Sequence, residues 1–517
     1  MPVFFEPNVQ ILGSCPNLFI DMSRFLIHRY KESHGKCIRL SANFMKFFSV
    51  FTDKILRMMN KKRLLALTEE SFIFLSLFRW IVLASIVGII VGVTAAFFLT
   101  VLHISTETSS HNKMLYFLLP IALGVSALMS KHLSPESEGH GTEKVIESVH
   151  KRGGKIKASV VPVKLLSTVL TIAAGGSAGK EGPCAQIGAG LSSIFADLFK
   201  LNDSDRKKLV ICGISAGFAA VFGTPIAGAI FGVEVLFVGS ILYEVLLPSF
   251  IAGMISFQVA SSLGITYAAI NIPALSAFSP VFFIKVILAG LFFALCAIFF
   301  IEIMRFGDKV SKKIKLNVFL KGVLGGVVLL ALAGIFSTDF LGLGLDSIHK
   351  TLNGQTVVWY AFLIKGLMTS ITLACGGSGG IVTPIFFIGT TAGAFFATFM
   401  NLDVATFSAL GLVALLAGAA NTPLAATIMA IELFGSDIAP YATLACVISF
   451  LMTGYRSAYP SQVLAINKSP SILVKTGCDI DQHEAHFEYK ARRIMATGLR
   501  FGKKIKHFTF TKSNKMR

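Results

Sequence analysis

Long stretches without a single charged residue set the first limit on how this chain can fold. Trp80–Leu102, Leu115–Met129, Val323–Phe336 and Ile438–Tyr455 contain no Asp, Glu, Lys, Arg or His. A bilayer core is crossed by about 20 apolar residues at about 1.5 Å of helical rise each. Within hydrocarbon every backbone N–H and C=O needs an internal partner, which leaves only helices and closed barrels. Charged residues make up 15% of the 517, against about 25% in soluble globular chains. The chain is therefore read as an integral, multi-pass membrane protein. Other apolar runs are shorter and broken by Gly and Pro, the pattern of partial or re-entrant helices.

The formal charge of +19 gathers toward the two ends. Lys490–Arg517 carries ten Lys or Arg and no acid, and Lys61-Lys62-Arg63 precedes the first long apolar run. Loops rich in Lys and Arg near span ends stay cytoplasmic, so both termini are expected in the cytoplasm with an even number of crossings. Basic tails on such a protein touch anionic lipid headgroups or are solvated, and nucleic acid is not an expected partner. The first 40 residues lack the apolar core of a cleavable signal peptide. Eight cysteines without CxxC spacing read as packing residues.

Self-comparison is more informative still. Lys164–Gly188 reads KLLSTVLTIAAGGSAGKEGPCAQIG, and 201 positions later Lys365–Gly389 reads KGLMTSITLACGGSGGIVTPIFFIG, with 12 of 25 positions identical. Thr224-Pro225-Ile226-Ala227 up to Glu234 returns at an offset of 198 as Thr422-Pro423-Leu424-Ala425 up to Glu432. Two matches at nearly one offset imply homologous halves, residues 75–260 and 280–465. They are flanked by a basic extension, 1–70, and a basic tail, 468–517. Transporter repeats often have inverted topology, with the substrate site at the bilayer midplane between them.

Each half carries a glycine-rich break just ahead of a new apolar segment: Gly175–Pro183 in one, Gly376–Pro384 in the other. Proline suits a first helical turn, where its missing N–H costs nothing. Upstream glycines let backbone amides turn toward an ion, and the helix dipole adds attraction for anions. Two such starts would surround one anion without fixed full charges, which suits conduction. A single GGSxG break is more simply a packing device. The duplicated pair favours anion binding.

Here the chain resembles the CLC family of chloride channels and chloride/proton antiporters. Gly179-Lys180-Glu181-Gly182-Pro183 is similar to the family's GREGP motif, and Gly380-Ile381-Val382-Thr383-Pro384 to its GIFAP motif. Tyr459, in Ala458-Tyr459-Pro460-Ser461, stands where the family has a pore tyrosine. The resemblance covers residues 75–470. It implies an all-α membrane fold of two inverted halves, about 18 helices with many partial, and a homodimer with one pore per subunit. It casts Glu181 as the gating glutamate, whose carboxylate mimics an anion. The anion site it implies comprises His140, Gly141, Gly179, Lys180, Gly182, Gly380, Ile381, Val382 and Tyr459. Chloride is the expected ion, with nitrate or bromide as co-permeants and protons as possible partners; no cofactor or metal is implied.

Two positions depart from the family. His140, in Gly139-His140-Gly141-Thr142-Glu143, replaces a serine that normally reaches the anion. Either its imidazole N–H takes over that role, or the ring swings away and backbone amides suffice. Val235 follows Glu234 where antiporters usually carry a second, cytoplasm-facing acid. Valine relays no proton, so the sequence favours a passive gated channel, with antiport as the alternative. Glu234 and Glu432 are expected to make structural hydrogen bonds, and Lys164 and Lys365 to be structural charges near helix ends rather than ligands. A fluoride-selective relative is the nearest alternative within transport. From another class, Gly175–Gly179 also fits the GxSxG pattern of a serine hydrolase, but its recurrence in both halves and the lack of a plausible histidine base argue against an enzyme.

Overall fold

The computed structural model describes residues 61–111, 113–267, 279–469, 472–480 and 485–487. Expectations for residues 1–60 of the basic extension and for the tail beyond 487 lie outside the described residues. By its contacts the chain divides into Met1–Trp80 and Ile81–Arg517, and every site residue falls in the second unit.

Sixteen α-helices are present among the described residues, and they fall into two series of eight. The first comprises α1 (Lys61–His111), α2 (Leu119–Leu133), α3 (Thr142–Lys151), α4 (Val160–Ala173), α5 (Glu181–Leu198), α6 (Asp203–Phe222), α7 (Pro225–Glu234) and α8 (Tyr243–Ser262). The second comprises α9 (Pro280–Lys313), α10 (Val318–Ile335), α11 (Leu345–Leu352), α12 (Ala361–Ala374), α13 (Val382–Phe399), α14 (Val404–Ala420), α15 (Pro423–Phe434) and α16 (Ala439–Met452). Helices α4, α5 and α6 begin 201 residues before α12, α13 and α14. Six helical segments are long and apolar enough to cross a membrane; α4, α7, α12, α14 and α15 are apolar but shorter. This is the mixture expected from apolar runs interrupted by Gly and Pro. The fold is the all-α membrane architecture of two inverted halves.

Each half has a buried core of its own, and the halves also pack on each other. Helix α14 is apolar on every side and buried from Ala405 to Ala420, the pattern of a helix wrapped by others. It packs on α13 as α6 packs on α5, while α2 packs on α10 and α7 on α15. Polar bonds between the halves come in reciprocal pairs. The Ser177 amide donates to the Thr372 hydroxyl at 3.1 Å, and the Ser378 amide to the Thr171 hydroxyl at 3.1 Å. Ser177 Oγ meets Thr369 Oγ1 at 3.1 Å, and Ser378 Oγ meets Thr168 Oγ1 at 3.0 Å. Glu234 at the end of α7 accepts from the first amides of α15, those of Leu424 and Ala425, at 3.0 and 2.8 Å. Glu432 accepts from Ile226 and Ala227 at the start of α7, at 3.0 and 2.7 Å. Each carboxylate thus caps a helix of the opposite half.

After α16 the chain continues as an extended strap. Strand β2 (Val463–Leu464) pairs in parallel with β1 (Phe237–Val238), and β3 (Ile472–Val474) pairs antiparallel with β4 (Ala485–Phe487). Gln462 anchors the strap, donating to the Val235 and Ala420 carbonyls at 2.8 and 2.7 Å. Lys151, at the end of α3, reaches Asp479 at 2.6 Å.

Candidate functional site

The two glycine-rich breaks meet. Gly179 and Gly380 form an antiparallel bridge, each amide donating to the other's carbonyl at 2.7 Å. Immediately beyond it α5 and α13 begin, each with a proline in its first turn. The opening amides of a helix have no carbonyl one turn back. Lys180 and Glu181 in one half, and Ile381 and Val382 in the other, therefore bring two positive helix ends to one place.

Into this place reaches Glu181, 1% exposed. Its carboxylate crosses to the other half: the Thr383 hydroxyl donates to Oε1 and Oε2, both at 2.6 Å, and the Thr383 amide to Oε2 at 3.1 Å. A negative group thus lies on the first turn of α13, where the dipole and free amides favour it. Glycine at 179 makes this possible, because a Cβ there would come within 2.6 Å of Glu181 Oε2 and 3.0 Å of the Thr383 nitrogen. Lys180, half-buried, acts electrostatically on Glu181 beside it.

A third segment closes on the pair. Gly141 adopts φ +77°, and a Cβ there would lie 2.5 Å from the Gly182 carbonyl oxygen. Both its left-handed backbone and this close approach demand glycine. A Cβ on Gly182 would meet the His140 carbonyl oxygen at 2.3 Å and Gly380 Cα at 3.0 Å. Lys164 Nζ fixes the segment by donating to the Ser137 and Gly139 carbonyls at 3.0 and 2.7 Å. Lys365 repeats this in the second half on Phe340 and Gly342, at 3.0 and 2.7 Å.

The fourth segment is the strap. Tyr459 is fully buried beside Thr142, and its amide donates to Ser457 Oγ at 2.9 Å. Its hydroxyl has no hydrogen bond of normal geometry, and the buried His140 Nδ1 has none either. Buried polar atoms of this kind are uncommon and costly without a partner. The ten residues singled out from sequence therefore lie on four converging segments: His140 and Gly141, Gly179 to Gly182, Gly380 to Val382, and Tyr459. Sequence reasoning missed the role of Thr383, which was visible only as a departure from the motif. It also missed Glu143, whose Oε1 takes the Ser461 amide at 3.0 Å and the Ser461 hydroxyl at 2.5 Å. The Ser177 hydroxyl is occupied by Thr369 in the interface between the halves.

Comparison with known proteins bears on the family and the fold. The sequence profile of the family described as "Voltage gated chloride channel" matches residues 123–454. The chain is 34% identical over 424 residues to a "Chloride/fluoride channel protein" of Pseudomonas syringae pv. tomato, covering 80% of this chain and 93% of that one. It is 25% identical to the "H(+)/Cl(-) exchange transporter ClcA" of Klebsiella pneumoniae, over 62% of this chain and 72% of that one. Among solved structures it is similar to "a CLC-type fluoride/proton antiporter", with a TM-score of 0.72, 26% identity, and coverage of 75% and 98%. A slow cyanobacterial Cl-/H+ antiporter shares the fold at a TM-score of 0.65 and 21% identity, with coverage of 72% and 94%. Paired helix starts, a carboxylate lodged between them and a profile match across both halves lead to one conclusion: the chain belongs to the voltage-gated chloride channel, or CLC, family.

Proposed function

We propose that this chain carries chloride through the site between α5 and α13 in exchange for protons, with Glu181 as the group that either ion displaces. The observation that carries this reading is the Glu181 carboxylate, buried on the first turn of α13 and held there by Thr383. In that position the ionised side chain is itself the bound anion. Protonation removes its charge and its claim on the helix end, and a halide can then take its place. The amides of Ile381 and Val382, the Tyr459 hydroxyl and the His140 ring supply donors to the halide without fixed full charge. Gly141, Gly179, Gly182 and Gly380 keep side chains out of the space, and Lys180 contributes long-range attraction.

Relatives named as a chloride/proton exchange transporter and as a fluoride/proton antiporter support exchange. Val235 supports a second reading, a passive gated channel, because it carries no proton at the end of α7. Fluoride is the competing anion, since the names of two relatives include it. Cytoplasmic termini belong to the same proposal and rest on the basic ends. A homodimer with one pore per subunit belongs to it as well.

The test is flux from liposomes loaded with chloride or fluoride, with halide and proton movements recorded together. Exchange predicts that halide running down its gradient drives protons up theirs. Glu181→Gln should keep halide flux while abolishing both proton movement and pH dependence. Pumping of protons by the wild type excludes the channel. Pumping that survives in Glu181→Gln removes Glu181 from its role.

A further inference from the structure

Helix α3 is polar and is not one of the membrane-crossing helices, yet it starts at the site and ends at the surface. Its second residue, Glu143, holds Ser461 with one carboxylate oxygen, while the other, Oε2, is shut from solvent and has no hydrogen-bond partner. An unpartnered, buried, ionised oxygen is costly, and protonation relieves that cost. Burial pushes the Glu143 carboxyl up to about 7, against the opposing pull of the Ser461 hydrogen bonds. Such a group changes charge near neutral pH.

Three further features surround Glu143. Glu147 lies one turn farther along α3 on the same face, is partly exposed, and pairs with Lys144 at 3.1 Å. It gives Glu143 an acidic neighbour in touch with water. In the other direction, the Tyr459 hydroxyl lies within electrostatic range of Glu143 and Glu181 alike. Finally, Ser461 precedes Gln462, whose side chain holds the Val235 carbonyl at 2.8 Å. Two consecutive strap residues thus set Glu143 beside the end of α7, where position 235 has no acid. The charged and titratable groups around it are Lys144 and Glu147 on its own helix, Tyr459 on the strap and Glu181 on α5. Lys151 at the far end of α3, His140, and the Lys164 ammonium that acts on His140 also belong to the set.

We propose that Glu143 is the second proton-carrying residue of this transporter, exchanging protons with solution past Glu147 and with Glu181 past the Tyr459 hydroxyl; this rests on the exchange reading above. In the inward half of the transfer, an O–H bond forms on the Glu143 carboxylate as one breaks on hydronium or on protonated Glu147. In the second half, the Glu143 O–H bond breaks as one forms on the Glu181 carboxylate, with water as carrier. No other reactant is consumed.

The experiment uses the full chain in liposomes with a chloride gradient, chloride and proton movements being read by separate electrodes. Glu143→Gln keeps an acceptor for Ser461 but carries no exchangeable acidic proton. It should retain chloride flux within about threefold and lose at least about tenfold in chloride-driven proton movement. Proton movement equal to that of the wild type overturns the role of Glu143 and leaves exchange standing. A wild type that moves no protons overturns exchange itself, and this proposal with it. If Glu143→Gln does not fold, Ser461→Ala decides. Losing the donor to the carboxylate makes ionisation harder, so half-maximal proton movement should shift about one unit to higher pH with chloride flux retained. An unmoved profile overturns the proposal, because a purely structural Glu143–Ser461 tie would not set that pH.

Discussion

At the scale of single residues, the decisive contact is the one between Glu181 and Thr383. A hydroxyl shared by both carboxylate oxygens, together with an amide, holds the side chain in the site. A hydrogen bond to a charged group contributes roughly 1.5–3 kcal/mol. Thr383→Ala should therefore ease the departure of Glu181 and raise halide flux at neutral pH by about tenfold, measurable as chloride efflux from liposomes. Flux unchanged by this substitution would mean that release of Glu181 does not limit transport. Glu181 itself was legible in the sequence, because a motif and a repeat converged on it. Thr383 was not, since the two residues are 202 positions apart and nothing in local patterning joins them. His140 was legible as a departure from the motif, and its buried Nδ1 has no hydrogen-bond partner.

At the scale of elements, sequence patterning worked where apolar runs and breaks are local signals. The Gly and Pro interruptions anticipated the short helices α4, α7, α12 and α15, and the uncharged run Ile438–Tyr455 is in large part α16. What patterning could not supply is the strap beyond Met452, because its course is fixed by distant carbonyls of Val235 and Ala420 gripping Gln462. The expected structural role of Glu234 and Glu432 takes the form of helix caps exchanged between the halves. Glu234 is 5% exposed, so Glu234→Ala leaves the buried Ala425 amide and the partly buried Leu424 amide without an acceptor. It should lower stability by about 2 kcal/mol, and by more than Glu432→Ala at its partly exposed site, read from thermal unfolding in detergent. Equal losses would show that burial does not govern the two caps.

At the scale of the molecule, the offset of 201 read from the sequence relates the residues that play equivalent parts where the halves meet. Ser177 and Ser378, Thr168 and Thr369, Thr171 and Thr372, and Gly179 and Gly380 all obey it. The sequence announced the duplication; only the fold shows that the copies complete each other instead of standing apart. Fragments 1–270 and 271–517 should accordingly each fail to accumulate when made alone and assemble a working transporter when made together, assayed by co-purification and chloride flux. A first fragment that is stable by itself would contradict this interdependence.

The exchanged caps also impose an order on biogenesis. When α7 emerges from the ribosome, the carboxylate that will satisfy its opening amides, that of Glu432, has yet to be translated. The N-terminal half must wait within the lipid with a polar end exposed until nearly the entire polypeptide has been made. Premature termination before that point should thus yield a product that quality-control proteases recognise by its unfinished helix end.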